Sequence, residues 1–203
     1  GEIPIVRHRA IKGQIKTLTL KREASGKWHA IFTVENELQT PKTNNGPAVG
    51  LDLGLNRLAT LSDGKSIQNP HRFRKFEQKL AAAQRILSKK QKGSHQRRKA
   101  KRKVALLHEA LANVRKDYLH KSANALLSNY SKIAMEDLRI NEMAEEGHGK
   151  GIHDASWGAF THMLCYKAES AGSEIVFVDP KDTTKECSGC HSFINKHLWE
   201  RFH

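Results

Sequence analysis

Two short runs near the start of the chain alternate apolar and polar residues. Residues 14–20 and 28–34 follow this pattern, and the turn-forming residues 24–27 separate them, which is typical of a β-hairpin. A lone hairpin cannot bury its apolar face. We therefore expect residues 1–47 to be the end of a larger, wedge-like β-domain and a linker, with earlier strands of that domain outside this chain.

A second set of apolar runs begins at residue 48. Residues 48–54 and 58–61 predict two antiparallel strands, and residues 66–68 predict a short third strand after a turn at residues 62–65. Apolar residues then recur at helical spacing. This spacing predicts a long helical hairpin inserted at about residues 71–130.

The last apolar runs predict a strand, a helix and a further strand. The strand covers residues 132–138, and the helix begins near Asp154 or Ser156 and stops at Gly172. Residues 174–179 form the final predicted strand.

The order of these elements indicates a fold class. A three-stranded meander, a helical excursion, a strand, a helix and a strand follow one another in the order of the α/β RNase H-like fold, a mixed sheet covered by helices. We therefore assign residues 48–180 to one core of this class. Residues 181–203 fall outside it.

Carboxylates interrupt or end two of the predicted strands. Asp52 lies in the first strand of the core and Glu136 in the fourth. An acid in an apolar run is costly to bury unless a cation meets it, although Asp52 alone also fits a surface position at a strand end. The first and fourth strands of this fold are neighbours, so the two acids could share Mg²⁺ ions that activate water for phosphodiester attack. The sequence therefore predicts a magnesium site at Asp52 and Glu136.

The charge of the chain favours a polyanionic partner. Its 35 Lys and Arg residues outnumber its 21 Asp and Glu residues, which gives a formal net charge of +14, and nucleic acid is the usual partner of such a protein. No apolar run reaches transmembrane length and no signal peptide precedes the chain. We expect a cytoplasmic protein that does not bind membranes.

A basic segment between the apolar parts of the two predicted helices is the candidate nucleic-acid site. It contains no acid, and mutual repulsion within it favours contact with phosphates, whereas the ordinary alternative is a solvated face or loop. Its candidate contact residues are Lys89, Lys90, Lys92, Arg97, Arg98, Lys99, Lys101, Arg102 and Lys103.

The cysteines indicate a second metal. Cys187 and Cys190 are separated by two residues, a spacing that favours half of a structural zinc site in a reducing compartment. A redox dithiol or two surface thiols are the alternatives. Zn²⁺ needs four ligands, and His197 and His203 stand at spacings unlike those of the usual zinc finger.

Four motifs together resemble one family. They are VGLDLG at residues 49–54, AMEDL at 134–138, DASWG at 154–158 with YKA at 166–168, and CSGC at 187–190. They occur in the order seen in TnpB, the transposon-encoded RuvC-like nuclease that is similar to type V CRISPR effectors. The resemblance covers the chain from about residue 14 to its end.

The resemblance implies a function and a set of roles. Asp52 and Glu136 would be the first two of three catalytic acids in a Mg²⁺-dependent DNA endonuclease, guided by RNA made from the transposon end. Its partners would be this guide RNA and target DNA, with the protein monomeric or dimeric on the RNA. The opening hairpin would be the tail of the wedge β-barrel that holds the guide, and the host would be prokaryotic. Asp154 and Trp157 match a motif that we interpret as structural.

The chain also departs from the family pattern. A second Cys-x-x-Cys and the third catalytic acid follow Cys190 in the family, and neither occurs within these 203 residues. We therefore expect an incomplete catalytic core and half of a zinc ribbon. Two classes stay open, an RNA-guided nuclease completed by further residues and a binding module that does not cut. A transposase with a tyrosine nucleophile is disfavoured, because Tyr118, Tyr130 and Tyr166 fall on predicted apolar helix faces.

Overall fold

The computed structural model describes residues 2–8, 10–35, 43–54, 56–69, 72–138, 156–181, 190 and 192–193, with the backbone alone at residues 72–75. Within them lie seven strands and three helices. In chain order these are β1 (Gln14–Arg22), β2 (Trp28–Glu35), β3 (Ala48–Leu53), β4 (Arg57–Leu61), β5 (Ser66–Gln68), α1 (Arg72–Ser88), α2 (His95–Asn129), β6 (Lys132–Glu136), α3 (Trp157–Ala171) and β7 (Glu174–Val178).

The chain divides into two compact units. One consists of Gly1–Thr40 and Pro70–Lys121, and the other of Pro41–Asn69 and Ser122–His203. The predicted hairpin and most of the predicted helical insertion thus belong to one unit, and the predicted core belongs to the other. The domain boundaries given above stay a prediction.

The first unit contains the predicted hairpin. β1 and β2 pair antiparallel from Gln14 opposite Glu35 to Arg22 opposite Trp28, with an irregularity between Ile15 and Thr17. The helices of this unit run antiparallel as predicted, since Arg115 of α2 meets Glu77 of α1 at 3.2 Å. No helix within the described residues is long and apolar enough to cross a membrane.

The second unit contains a five-stranded mixed sheet with the order β5-β4-β3-β6-β7. β3 pairs antiparallel with β4 and parallel with β6, and β7 pairs parallel with β6. The expectation that the first and fourth strands of the core are neighbours is therefore confirmed. Parallel pairing brings the carboxyl ends of β3, β6 and β7 to one edge of the sheet.

The core of this unit lies between the sheet and α3. Leu58 and Ile133 from the strands, and Phe160 and Leu164 from the helix, are fully buried. α3 ends as predicted at Gly172, whose φ of 69° lies in the left-handed region and whose N–H bonds to Ala168 O. The sheet and α3 thus bury each other's apolar faces.

A hydrogen-bonded junction closes the end of α2. Asn44 Nδ2 donates to the carbonyl oxygens of Leu127 and Tyr130 at 2.7 and 2.9 Å and lies 2.9 Å from Ser173 Oγ. Asn44 Oδ1 accepts the backbone N–H of Gly46 at 2.9 Å. Carbonyls at a helix end have no partner within the helix, so the side chain of Asn44 satisfies groups that α2 leaves unpaired.

A second polar cluster ties the β4–β5 turn to the residue that follows α2. Lys65 Nζ lies 2.9 Å from Asp63 Oδ2, and the Tyr130 hydroxyl donates to the same oxygen at 2.6 Å. Hydrogen bonds from Lys65 and then from Tyr130 lower the pKa of Asp63 to about 2, and the bond to Asp63 raises the pKa of Lys65. These side-chain bonds therefore fix the position of the β4–β5 turn relative to Tyr130.

One expectation about the tyrosines is wrong. Tyr130 is buried, but Tyr166 is 46% exposed because its position on α3 turns away from the buried stripe of Phe160 and Leu164. Its ring lies near His162, with centroids 5.5 Å apart. Tyr166 is thus a surface residue of α3.

Candidate metal centre and nucleic-acid interface

Asp52 lies on the exposed face of β3. The strand alternates, so Val49, Leu51 and Leu53 are buried while Asp52 is on the opposite face. Of the two positions left open for Asp52, the surface one is confirmed, since strand alternation places the carboxylate outside the core. Its exposure leaves the carboxylate accessible to ions and substrates.

Glu136 ends β6, the strand beside β3. The parallel register pairs Gly50 with Ala134 and Leu51 with Met135. Continued by one residue, this register sets Asp52 beside Glu136, on neighbouring strands about 4.8 Å apart. The structure therefore brings the two predicted acids to the same face and the same edge of the sheet.

Other residues complete this face. Thr60 is directly opposite Asp52 on β4, and Val178 is beside Glu136 on β7. Sequence reasoning missed Thr60, because its place depends on the register of the β3–β4 hairpin. Cross-strand partners have Cβ atoms about 5 Å apart, close enough for a threonine hydroxyl to approach the carboxylate.

Asp52 and Glu136 fit a partial Mg²⁺ site. Carboxylate oxygens are the donors that Mg²⁺ prefers, and it is commonly held by one or two carboxylates with water and substrate phosphates completing its shell. Gly50 and Ala134, one pair earlier on the same face, are small and leave room beside the acids. Within the described parts of the chain, no group of three or more His, Cys, Asp or Glu residues could hold a metal ion.

The predicted zinc half-site is described only at one end. Cys190 is exposed, and its Sγ lies 3.2 Å from Ser192 Oγ, whereas Cys187 lies outside the described residues. The assignment of Zn²⁺ to Cys187 and Cys190 stays a prediction.

The basic segment is mostly helical rather than a connection between helices. Lys89, Lys90 and Lys92 lie between α1 and α2, but the residues from His95 onward belong to the first turns of α2. A helix spaces its charges at fixed intervals of 1.5 Å along its axis. Some of the basic side chains in the first turns of α2 therefore face protein.

Arg97 caps the preceding helix. Its Nη1 donates to the carbonyl oxygens of Leu87 at 3.1 Å and Lys90 at 2.9 Å, which satisfies carbonyls at the end of α1. Arg102 is likewise engaged with protein, since its Nε donates to Ser25 O in the hairpin turn at 3.2 Å. These two arginines therefore support the structure of the unit.

The other predicted contact residues remain available to solvent. All of them are exposed along the loop and the first turns of α2: Lys89, Lys90, Lys92, Arg98, Lys99, Lys101 and Lys103.

This division of roles gives a testable difference between two double variants. Changing Arg98 and Lys101 to Ser should reduce the slope of log affinity for nucleic acid against log salt by about 1.5 to 2, because each lost phosphate contact removes roughly one released counterion. Changing Arg97 and Arg102 to Ser should leave that slope unchanged and lower the melting temperature. Equal slopes for the two variants would contradict the assignment.

An α/β fold with paired carboxylates and an exposed basic helix fits the class of proteins that act on nucleic acids. Residues 31–146 match the OrfB_IS605 family, described as "Probable transposase", and residues 157–203 match the Cas12f1-like TNB domain. The chain belongs to this OrfB_IS605 family, whose members are the TnpB-type proteins that its motifs resemble.

Curated relatives carry names consistent with the family. The chain is 35% identical over 198 residues to "Putative RNA-guided DNA endonuclease InsQ" of Escherichia coli K12, covering 90% of this chain and 49% of that protein. It is 37% identical over 182 residues to a protein of Streptomyces pristinaespiralis named "Putative RNA-guided DNA endonuclease", covering 89% and 45%. The chain thus spans about half the length of these relatives.

A solved structure has a similar fold. The cryo-EM structure of a Cas12f1-sgRNA-target DNA complex matches with a TM-score of 0.52 and 21% sequence identity, over 87% of this chain and 45% of the matched chain. The mixed α/β sheet is therefore shared with Cas12f1.

Proposed function

We propose that this chain is part of an RNA-guided, metal-dependent DNA endonuclease of the TnpB type, associated with a transposable element. One observation carries the proposal: β3 and β6 pair in parallel up to Leu51 and Met135, the residues that directly precede Asp52 and Glu136. The names of the relatives support the choice of DNA as substrate and RNA as guide. In this proposal the sheet is the RNase H-like core, the hairpin is the end of a wedge β-barrel, and Cys187 and Cys190 begin a zinc ribbon.

The two acids would bind the metal ion that the proposed reaction needs. Asp52 and Glu136 would hold Mg²⁺, which supplies an activated water and a counter-charge for the phosphodiester when bound. Adjacent carboxylates repel each other, so their ionised forms favour cation binding at this edge. Their exposed face admits a substrate phosphate, and the resemblance assigns a third acid to a part of the family sequence that follows these residues.

The basic surface would hold the nucleic acids. The exposed lysines and Arg98 at the start of α2 lie in a segment without acids, so their attraction for phosphate is not neutralised locally. In the proposed protein they contact the guide RNA or the target DNA, and the sequence selectivity comes from pairing with the guide.

A binding module that does not cut is the second candidate. It is favoured by one observation, that the described residues contain two clustered acids and no group of three metal-binding side chains. The two candidates differ in whether further residues complete the metal shell.

The test compares the 203-residue chain with the same chain joined to all the parts of the E. coli relative that lie outside the matched region, at both ends. With guide RNA and Mg²⁺, the joined protein should cut double-stranded DNA that matches the guide, and Asp52→Asn should slow it by about 10²–10³-fold or more because a charge-stabilising group is lost. Asp137→Asn, one residue beyond Glu136, is the matched control and should cut at nearly the normal rate. Cleavage that survives Asp52→Asn would refute the proposed site, and failure of the joined protein to cut would favour the binding module.

A further inference from the structure

The hairpin turn is fastened to α2 at two points. Arg102 Nε donates to Ser25 O at 3.2 Å, and Lys27 Nζ lies 2.6 Å from Glu109 Oε1. Arg102 and Glu109 are seven residues apart, two turns along one face of the helix. Ser25 is 1% exposed, so the turn is packed in place rather than projecting into solvent.

An exposed indole lies immediately after this turn. Trp28 is the first residue of β2 and is 65% exposed, so its ring is accessible from solvent. The guanidinium of Arg22, its cross-strand partner, lies 5.8 Å from the ring centroid. A cation at this distance interacts favourably with the ring and restrains its orientation.

Positive charge continues from this point along α2. Arg98 is exposed and lies one turn before Arg102, on the helix face that meets the hairpin turn. The axial separation of the two residues is about 6 Å, which is comparable with the spacing of successive phosphates in a single strand. The fastened turn thus holds the start of β2, with Trp28, near the cations in the first turns of α2.

We propose that Arg22, Trp28 and Arg98 form a stacking platform for an unpaired base of RNA. Trp28 stacks on the base, Arg22 holds the indole and Arg98 binds a neighbouring phosphate. The charge of the segment selects a polyanion, and an exposed aromatic ring selects a strand whose bases are free to stack. Paired bases are already stacked within a duplex, so no face of a base is open for the Trp28 indole to stack on.

The platform rests on the proposed function only for the choice of RNA as partner. Its binding needs neither Asp52 nor a divalent ion. Measurements in EDTA therefore test it separately from cleavage.

The test measures binding of a fluorescein-labelled, unstructured 12-nucleotide RNA and of an RNA duplex of equal length. Trp28→Ala should weaken binding of the single strand by about 5- to 100-fold, the range for loss of one stacked base, and change duplex binding less than twofold. Trp28→Phe should retain most of the affinity. Ile31→Ala is the matched control, since Ile31 is also exposed on β2 but lies on the opposite face.

A spectroscopic measurement keeps the proposal testable if Trp28→Ala folds poorly. The chain has three tryptophans, and 5-fluorotryptophan labelling gives each a ¹⁹F resonance, with that of Trp28 identified by Trp28→Phe. The single strand should shift this resonance, and the same strand made of DNA should shift it less; an equal shift by DNA would overturn the choice of RNA. An unshifted resonance, or equal losses for single strand and duplex, would overturn the platform and favour a Trp28 covered by protein in the wedge-like domain.

Discussion

Replacing Asp52 by Asn or Glu136 by Gln should abolish divalent-cation binding by this chain. Each amide keeps the shape of the side chain but removes the negative charge that attracts the ion, and the register of β3 and β6 continues from Leu51 and Met135 to these two acids on neighbouring strands. Isothermal titration calorimetry with Mg²⁺, or the electron paramagnetic resonance signal of free Mn²⁺, measures the loss of cation binding. Asp137→Asn should bind as the parent chain does.

The same substitutions should leave folding stability equal or slightly higher. Asp52 is exposed on the face of β3 opposite the buried Leu51 and Leu53, and each change removes one member of a repelling pair. Thermal unfolding without divalent ions should therefore give melting temperatures no lower than that of the parent. Intact Mg²⁺ binding in both variants would show that these acids are not the ligands.

The second large effect is expected at Gly46, in the junction at the end of α2. A Cβ atom there would clash with Asn129 O and would lie 2.9 Å from its carbonyl carbon. Both contacts are with backbone at the end of a helix, which cannot rotate aside as a flexible side chain could. Gly46→Ala should therefore destabilise the fold by about 2–3 kcal/mol, the usual cost of overpacking.

Thermal unfolding measures this effect as a fall of roughly 4–10 °C in melting temperature. Gly50→Ala is the matched control, because its Cβ would make an ordinary contact of 3.5 Å with Ser62 Cβ. Near-equal melting temperatures for the two variants would mean that the junction between Gly46 and α2 is looser than described. A loss of metal binding in Gly46→Ala without a loss of stability would also contradict this account.

Alternation and helical spacing were sufficient to predict most elements of the fold. The strand predicted at residues 132–138 is β6 (Lys132–Glu136), and the first strand of the hairpin extends to Arg22 rather than ending at residue 20. These patterns are local, since each strand or helix shows its own period. The neighbouring positions of Asp52 and Glu136 followed from element order alone.

Contacts between distant residues could not be predicted in this way. Arg97 and Arg102 were grouped with the phosphate contacts because a run of charge carries no information about which side chains meet carbonyl oxygens. Arg102 and Ser25 are 77 positions apart, and only the packing of the hairpin on α2 joins them. The place of Thr60 opposite Asp52 likewise depends on register, which local periodicity does not specify.

Because Asp52 is exposed, a substitution there can remove the proposed activity without disturbing the fold. Leu51 and Leu53 serve the core, whereas Asp52, which the proposed function assigns to cutting, lies between them on the other face of the same strand. One base change turns an aspartate codon into an asparagine codon and leaves the core and the basic helix unchanged. If the proposed function holds, a lineage that loses cleavage in this way keeps a stable protein with an unchanged basic surface, which evolution can retain for another use.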